Sequence, residues 1–183
     1  GECMRNQLFP IVYAANKMDI APPGVLEAFP ERTMVACMAD MELALRRAAS
    51  SGLIDYTSGQ SGFTVRPDAS LNEAQQKALA HMNQRLEEAG GTGLSRLLDE
   101  VLFDQLQHIV VYPVQDESHW VDGDGRVLPD AFVVPDGLHA TALAGRVHTD
   151  LEAGFIRGVD GRTRRVVGAD HELSDGDVLK IHA

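Results

Sequence analysis

The chain has 183 residues, enough for one or two domains, each with a core of its own. Its hydrophobic fraction of 44% is that of a globular protein. With no apolar run of bilayer length and no signal peptide, a membrane partner is excluded and a cytoplasmic location is expected. The net charge of -11 and pI near 4.9 disfavour a broad nucleic-acid or anionic-lipid footprint at ordinary salt.

Lysine occurs only at Lys17, Lys77 and Lys180, and aspartate outnumbers glutamate. That bias resembles proteins of salt-accumulating organisms, whose acidic surfaces are screened by concentrated counterions. Cys3 and Cys37 stand alone, without metal spacing, as in a reducing compartment. The chain begins at Gly1 with no initiator Met, so a piece of a longer protein is expected.

Pro10 to Ala15 reads as a short buried strand, followed at once by Asn16-Lys17-Met18-Asp19. In a parallel α/β sheet, ligands sit beyond the carboxyl ends of the strands, so this tetrapeptide faces the ligand crevice. The residue types suit guanine. Its N1-H and 2-amino group are adjacent donors that an ionised Asp19 can accept together, which adenine cannot satisfy. Asn16 can donate to an acceptor such as N7, and the Lys17 stem can lie over the ring. The bland alternative is a strand running into a polar turn.

Ala21-Pro22-Pro23-Gly24 breaks regular structure, and a short helix is predicted over Val25 to Phe29. Glu31 to Cys37 reads as a second strand. Asp40 is a plausible N-cap for a helix from Met41 to Ala49, which Ser50-Ser51-Gly52 ends. Asp40 and Glu42 as an acid/base pair have no nucleophile to serve. Leu53 to Val65, rich in Gly and Ser with Tyr56 and Phe63, reads as a structured loop. A helix follows from Leu71 to Ala89, with Ser70 and Glu73 as its capping box, and Gly90-Gly91-Thr92-Gly93 ends it. Leu94 to Leu106 begins another helix, whose stripe of Leu94, Leu97, Leu98, Val101, Leu102 and Leu106 reads as core between two helices.

From His108 the pattern changes to strands: Ile109 to Val114, Ala131 to Val134, Phe155 to Val159, Arg165 to Val167 and Val178 to His182, with one helix over Thr141 to Leu151. This is an α+β pattern suited to a β-grasp, one helix across a curled mixed sheet. The expected division is therefore 1–66, an α/β segment carrying the guanine motif; 67–107, helical; and 108–183, β-grasp.

Asn16 to Asp19 closely resembles the N-K-x-D guanine motif of translation-factor-type GTPases. In such GTPases the next strand ends in a Ser-Ala loop whose main-chain N-H groups reach the guanine carbonyl; Ala39 matches the alanine, and Met38 stands at the serine position. The blocks VYPVQDE at Val111, VLPDAFVVPDGLHATALAGRVHTDLEAGFIRG at Val127 and GADHELSDGDVLKIHA at Gly168 resemble a TGS domain, the ubiquitin-like module of threonyl-tRNA synthetases, certain GTPases and guanosine-tetraphosphate synthetases. Val147-His148-Thr149-Asp150 with Gly154-Phe155-Ile156, and the order of N-K-x-D strand, Glu42 to Arg46 helix, glycine-rich loop, helices and TGS, resemble the Obg-related YchF GTPases, in particular archaeal members. Together with the acidic bias this points to a haloarchaeal source.

The resemblance implies the end of a P-loop-type G domain, a guanine site at Asn16, Lys17, Asp19, Met38 and Ala39, GTP or GDP as ligand, and association with ribosome or RNA. No G-x-x-x-x-G-K-[ST] loop or following D-x-x-G occurs in this sequence. Mg²⁺ and GTP hydrolysis are therefore expected only of a full-length parent, and this chain alone should be catalytically silent. The alternative is a non-enzymatic RNA- or ribosome-binding TGS module with no nucleotide site.

His139, His148, His171 and His182 lack zincin spacing; His148 and Asp150 read instead as pinning a helix end. Asp122-Gly123-Asp124-Gly125 has Arg126 where a calcium loop needs oxygen, and reads as a hairpin turn. Arg157, Arg162, Arg164 and Arg165 surround the Asp160-Gly161 turn. Four arginines on one hairpin of an acidic chain are either a phosphate-contacting face or a solvated hairpin.

Overall fold

The computed structural model describes residues 10–128 and 130–183; Gly1 and Cys3 lie outside the described residues. The chain divides into two units, one ending at Gln105 and the other beginning at Leu106.

In the first unit, β1 (Tyr13–Ala15) runs parallel to β2 (Met34–Ala36), with Tyr13 opposite Met34 and Ala15 opposite Ala36. The strand predicted from Pro10 is thus three residues long, and it is not buried. Tyr13 and Ala14 are exposed and Ala15 is half-buried, because β2 is the one strand paired with β1 among the described residues. Burial falls on β2 and the residues after it, at Val35, Cys37 and Met38. The helix predicted over Val25 to Phe29 is replaced by turns, including Phe29 N-H to Leu26 O at 3.2 Å. Pro22, Pro23 and Pro30 leave too few residues to repay helix nucleation.

Helix α1 (Ala39–Ser50) starts earlier than expected, with Met38 as its cap residue. Asp40 lies inside the first turn, where its charge still complements the helix dipole. Leu53 to Val65 is structured: β3 (Ile54–Asp55) and β4 (Thr64–Val65) pair antiparallel within it. Helix α2 (Glu73–Ala89) is capped by Asn72 rather than Ser70. Asn72 Oδ1 accepts the Gln75 amide at 2.8 Å, and Gln75 Oε1 accepts the Asn72 amide at 2.9 Å. The reciprocal pair satisfies two orphan donors at once, which moves the box two residues along. Gly90, at φ 72°, closes α2 in the left-handed conformation. Leu45 of α1, Ile54 of β3, and Leu79 and Leu86 of α2 form one buried cluster.

The leucine stripe after Gly93 is not core. Helix α3 (Leu94–Asp99) gives way to a π-helical stretch over Glu100–Gln105, neither holds a buried residue, and Leu98 is 60% exposed. From Glu100 on, the wider π turn takes Val101 and Leu102 off the 3.6-residue period that would align them with the leucines of α3.

In the second unit, a five-stranded mixed sheet has the order β6-β5-β9-β7-β8. These are β5 (His108–Val114), β6 (Phe132–Pro135), β7 (Arg157–Asp160), β8 (Val166–Val167) and β9 (Val178–His182). Only the β5–β9 pair is parallel. Pro113 is tolerated in central β5 because pairing with β6 ends at Val111, so no partner waits for the missing N-H on that side. Ile109, Val111, Val134 and Leu179 of the sheet and Leu173 bury against Ala140 and Leu143 of α4 (Ala140–Val147). The helix predicted over Thr141 to Leu151 breaks at His148, whose extended backbone starts α5 (Thr149–Ala153). His148 Nδ1 accepts the Asp150 amide at 3.2 Å, so the imidazole pins a helix end as expected. Asp122 to Arg126 forms a turn, with Asp122 Oδ1 accepting the amides of Asp124 and Arg126 at 2.9 and 2.8 Å.

Because this buried cluster is drawn wholly from residues after Leu106, residues 106–183 expressed alone should unfold cooperatively in molar salt. Leu143→Ala should cost that unit about 2 to 5 kcal/mol in a denaturant melt. A broad, non-cooperative transition in the unsubstituted unit would show that its core needs residues before Leu106.

Candidate functional site

The tetrapeptide lies at the carboxyl end of the parallel pair, against the start of α1. The ladder runs on past β1: Cys37 N-H donates to Ala15 O at 2.8 Å, and Met18 N-H donates to Cys37 O at 3.1 Å. Between these bonds Lys17 adopts φ 62°, a left-handed conformation unusual for a residue with a Cβ. The turn closes with Ile20 N-H to Lys17 O at 3.2 Å. Asn16 Oδ1 then accepts the Ala39 amide at 3.0 Å. With its oxygen so used, the Asn16 side chain keeps an NH₂ group that has no partner among the described residues. Lys17 is exposed and Asp19 half-buried, and among the described residues the Asp19 carboxylate has no hydrogen-bond or ion-pair partner.

The main-chain donors anticipated at Met38 and Ala39 are both engaged within the protein. Met38 N-H donates to Thr92 O at 2.8 Å, and Ala39 N-H to Asn16. A buried amide has to find a partner, and Met38 is only 5% exposed. Glu42 N-H to Met38 O at 3.0 Å is the first helical bond at this end of α1, so the amides of Asp40 and Met41 precede it.

Below the tetrapeptide lies a cavity of about 420 Å³ lined by Met18, Met38, Arg85, Glu88 and the Gly90 to Gly93 turn among others. Arg85 of α2 reaches from its wall to donate through Nη2 to the Asp19 carbonyl at 2.7 Å, while Nη1 pairs with Glu88 at 3.0 Å. At Gly93 a side chain is sterically impossible: a Cβ would lie 1.8 Å from Ala36 O.

Behind the loop stands Glu42, which the sequence presents only as an acid/base partner of Asp40 and whose structural role it does not reveal. Glu42 is 2% exposed and accepts from four side chains: Arg46 Nε (2.7 Å) and Ser58 Oγ (2.6 Å) on Oε1, Tyr56 OH (2.7 Å) and Thr92 Oγ1 (2.6 Å) on Oε2. Burial by itself would raise the Glu42 pKa. The hydrogen bonds from Ser58, Thr92, Arg46 and Tyr56 outweigh it and hold the carboxyl at about 2. Burial, with Glu42 as neighbour, pushes the Tyr56 phenol up to about 12. The available signal was Glu42 three residues before Leu45, a charge on the apolar face of its helix.

The four arginines of the other unit divide into two kinds. Arg162 donates through Nε to Gly176 O at 3.0 Å and lies 5.7 Å from the Trp120 ring centroid; Arg164, at φ 63°, holds Ser118 Oγ at 2.8 Å. Arg157 and Arg165 are exposed, and their side chains make no hydrogen bond or ion pair among the described residues. His139, His148, His171 and His182 do not converge: no group of three His, Cys, Asp or Glu side chains placed to hold a metal is found among the described residues. No helix among them is long and apolar enough to cross a membrane.

Residues 14–116 match the family of Obg-like GTPases described as YGR210-like, G4 motif-containing domain, and residues 125–183 match the TGS domain. The chain is 37% identical over 177 residues to an uncharacterised GTP-binding protein of Methanocaldococcus jannaschii, covering 94% of this chain and 44% of that protein. The crystal structure of a GTP-binding protein from Pyrococcus horikoshii superposes with a TM-score of 0.70 at 33% identity, over 98% of this chain and 47% of that one. The chain thus spans about half the length of the relatives it matches.

Glu42→Ala removes the acceptor of four donors and should destabilise the first unit by about 3 kcal/mol in a denaturant melt. The carboxyl is held below its ordinary value of 4.5, so its stabilisation is complete above pH 4.5 and is lost as pH falls towards 2. The melting temperature should therefore fall more steeply over that window in the native protein than in Glu42→Gln.

Proposed function

The chain belongs to the Obg-like GTPases of the YGR210-like type and ends in a TGS domain, and from this premise we propose that its first unit is the base-recognising part of a GTP-binding protein. One observation carries the reading: the tetrapeptide and the start of α1 meet at the carboxyl end of a parallel strand pair, with the Asn16 amide joined to Ala39. Asp19 accepts the N1-H and 2-amino donors of guanine, the Asn16 NH₂ group donates to N7, and the Lys17 stem covers the ring. Met38 and Ala39 form the adjoining wall. Because their own amides are engaged, the guanine carbonyl is met by the first-turn amides of α1 at Asp40 and Met41. GTP and GDP are the ligands. Hydrolysis and Mg²⁺ belong to a phosphate loop that this sequence does not contain.

We infer further that the second unit, read as a ubiquitin-like β-grasp, contacts ribosomal or other RNA through Arg157 and Arg165, in the cytoplasm and in translation. What supports this is their freedom from internal partners on a hairpin that Arg162 and Arg164 brace. The narrower kinship with YchF rests on Val147 to Asp150 and Gly154 to Ile156, and a haloarchaeal source on the scarcity of lysine.

Titration with GDP and XDP tests the base site. Asp19→Asn sets an amide N-H donor against a guanine donor, whereas the same N-H can donate to the xanthine 2-carbonyl oxygen. GDP affinity should fall about ten- to a hundredfold while XDP binding improves, with the fold unchanged. Equal GDP affinity in both proteins, or equal loss of both nucleotides, would remove Asp19 from a base pocket and favour the RNA-module reading.

Replacing Arg157 and Arg165 by Ala should weaken binding to a structured RNA and flatten its salt dependence, leaving the melting temperature in place. The Arg162 and Arg164 replacements should lower stability as well.

A further inference from the structure

The base pocket has two walls, the Asp19 turn after β1 and the Met38–Ala39 start of α1, and one distant segment holds both. Arg85 donates to the Asp19 carbonyl at 2.7 Å across 66 residues of sequence, and Thr92 O accepts the Met38 amide at 2.8 Å. The residue whose carbonyl Arg85 grips is the one whose carboxylate reads the base. We propose that Arg85 is a positioning residue for guanine selectivity, fixing the Asp19 backbone so that its carboxylate is presented to the two guanine donors; this rests on the base-site reading above.

Three features support the assignment. Arg85 is itself held: Nη1 pairs with Glu88 one turn on along α2, so the guanidinium fork spans Glu88 and the turn as a strut. Helix α2 is anchored in the core by Leu79 and Leu86, so the strut stands on a fixed base. The turn it supports has a cost of its own, since Lys17 is held at φ 62° and nothing within Lys17 favours that conformation. A two-residue bend at a strand end, bearing a carboxylate with no partner among the described residues, needs an outside contact to hold one orientation. Arg85 supplies it without touching the carboxylate, which stays available to ligand.

The test is a double-mutant cycle on the whole chain, with GDP and XDP as probes and amide NMR to follow both binding and fold. Arg85→Ala should weaken GDP binding about tenfold. In the Asp19→Asn background the same change should leave GDP affinity nearly unaltered, because the contact it orients is already lost. Arg85→Lys, which keeps the charge but replaces the fork with one ammonium, is carried through the same cycle and should show the same pattern with a smaller loss; it serves as the test should the alanine variant not fold. Equal losses in both backgrounds, or no loss in the protein that retains Asp19, would overturn the assignment and leave Arg85 a structural residue of α2. If Asp19→Asn alone leaves GDP binding intact, the base-site reading fails instead, and the two failures are distinguishable.

Discussion

The first unit depends on one buried carboxylate. Glu42 draws donors from α1 itself, from the loop after β3 and from the turn after α2, so three segments far apart in sequence are tied to one pair of oxygen atoms. A buried carboxylate is tolerated only when its lone pairs are filled, and here four donors fill them. Because the anion rather than the acid accepts all four bonds, the network and the ionisation sustain each other. Thr92 shows the consequence: its hydroxyl serves Glu42 while its carbonyl takes the Met38 amide, so the same residue joins the polar core to the wall of the candidate site.

This arrangement explains the glycines around Thr92. Gly93 must lie against Ala36 O at the end of β2, where no side chain fits, and Gly90 must turn left-handed to end α2. The turn is therefore held on one side by close approach to the strand and on the other by the cap of α2. The loop at the strand ends acquires its shape from contacts behind it and from the Asn16 oxygen on the Ala39 amide, while the Asp19 carboxylate takes no part in that bracing among the described residues.

The second unit handles charge differently. Several of its acidic side chains serve nearby turns: Asp160 accepts the amides of Arg162 and Thr163, and Asp116 those of Ser118 and His119. Those two turns are then linked, Arg164 to Ser118 and Arg162 to Trp120, which makes the arginine hairpin a braced element and no loose loop. Gly161 permits the indole to approach, since a Cβ there would sit 3.0 Å from Trp120 Nε1. Of the four arginines around this turn, Arg162 and Arg164 thus serve its architecture, while Arg157 and Arg165 are exposed.

What the sequence by itself determined is local or carried by family likeness. The change to strands near His108, the start of α4, the turn at Asp122 and the role of His148 are set by periodicity and by hydrogen bonds spanning a few residues. The family likeness of the segment holding Asn16 to Asp19 was legible because the motif consists of adjacent side chains. Tertiary structure decided the rest. Whether Asn72 or Ser70 caps α2 turned on which residue found a reciprocal partner, and whether the leucine stripe after Gly93 was core turned on packing that its apolar period does not announce. Arg85 and Thr92 carry no local mark of their importance, and Glu42 carries only that of a charge on the apolar face of its helix. Their partners lie up to 66 residues away, and a hydrogen bond across that distance exists only once the chain has folded to bring donor and acceptor together.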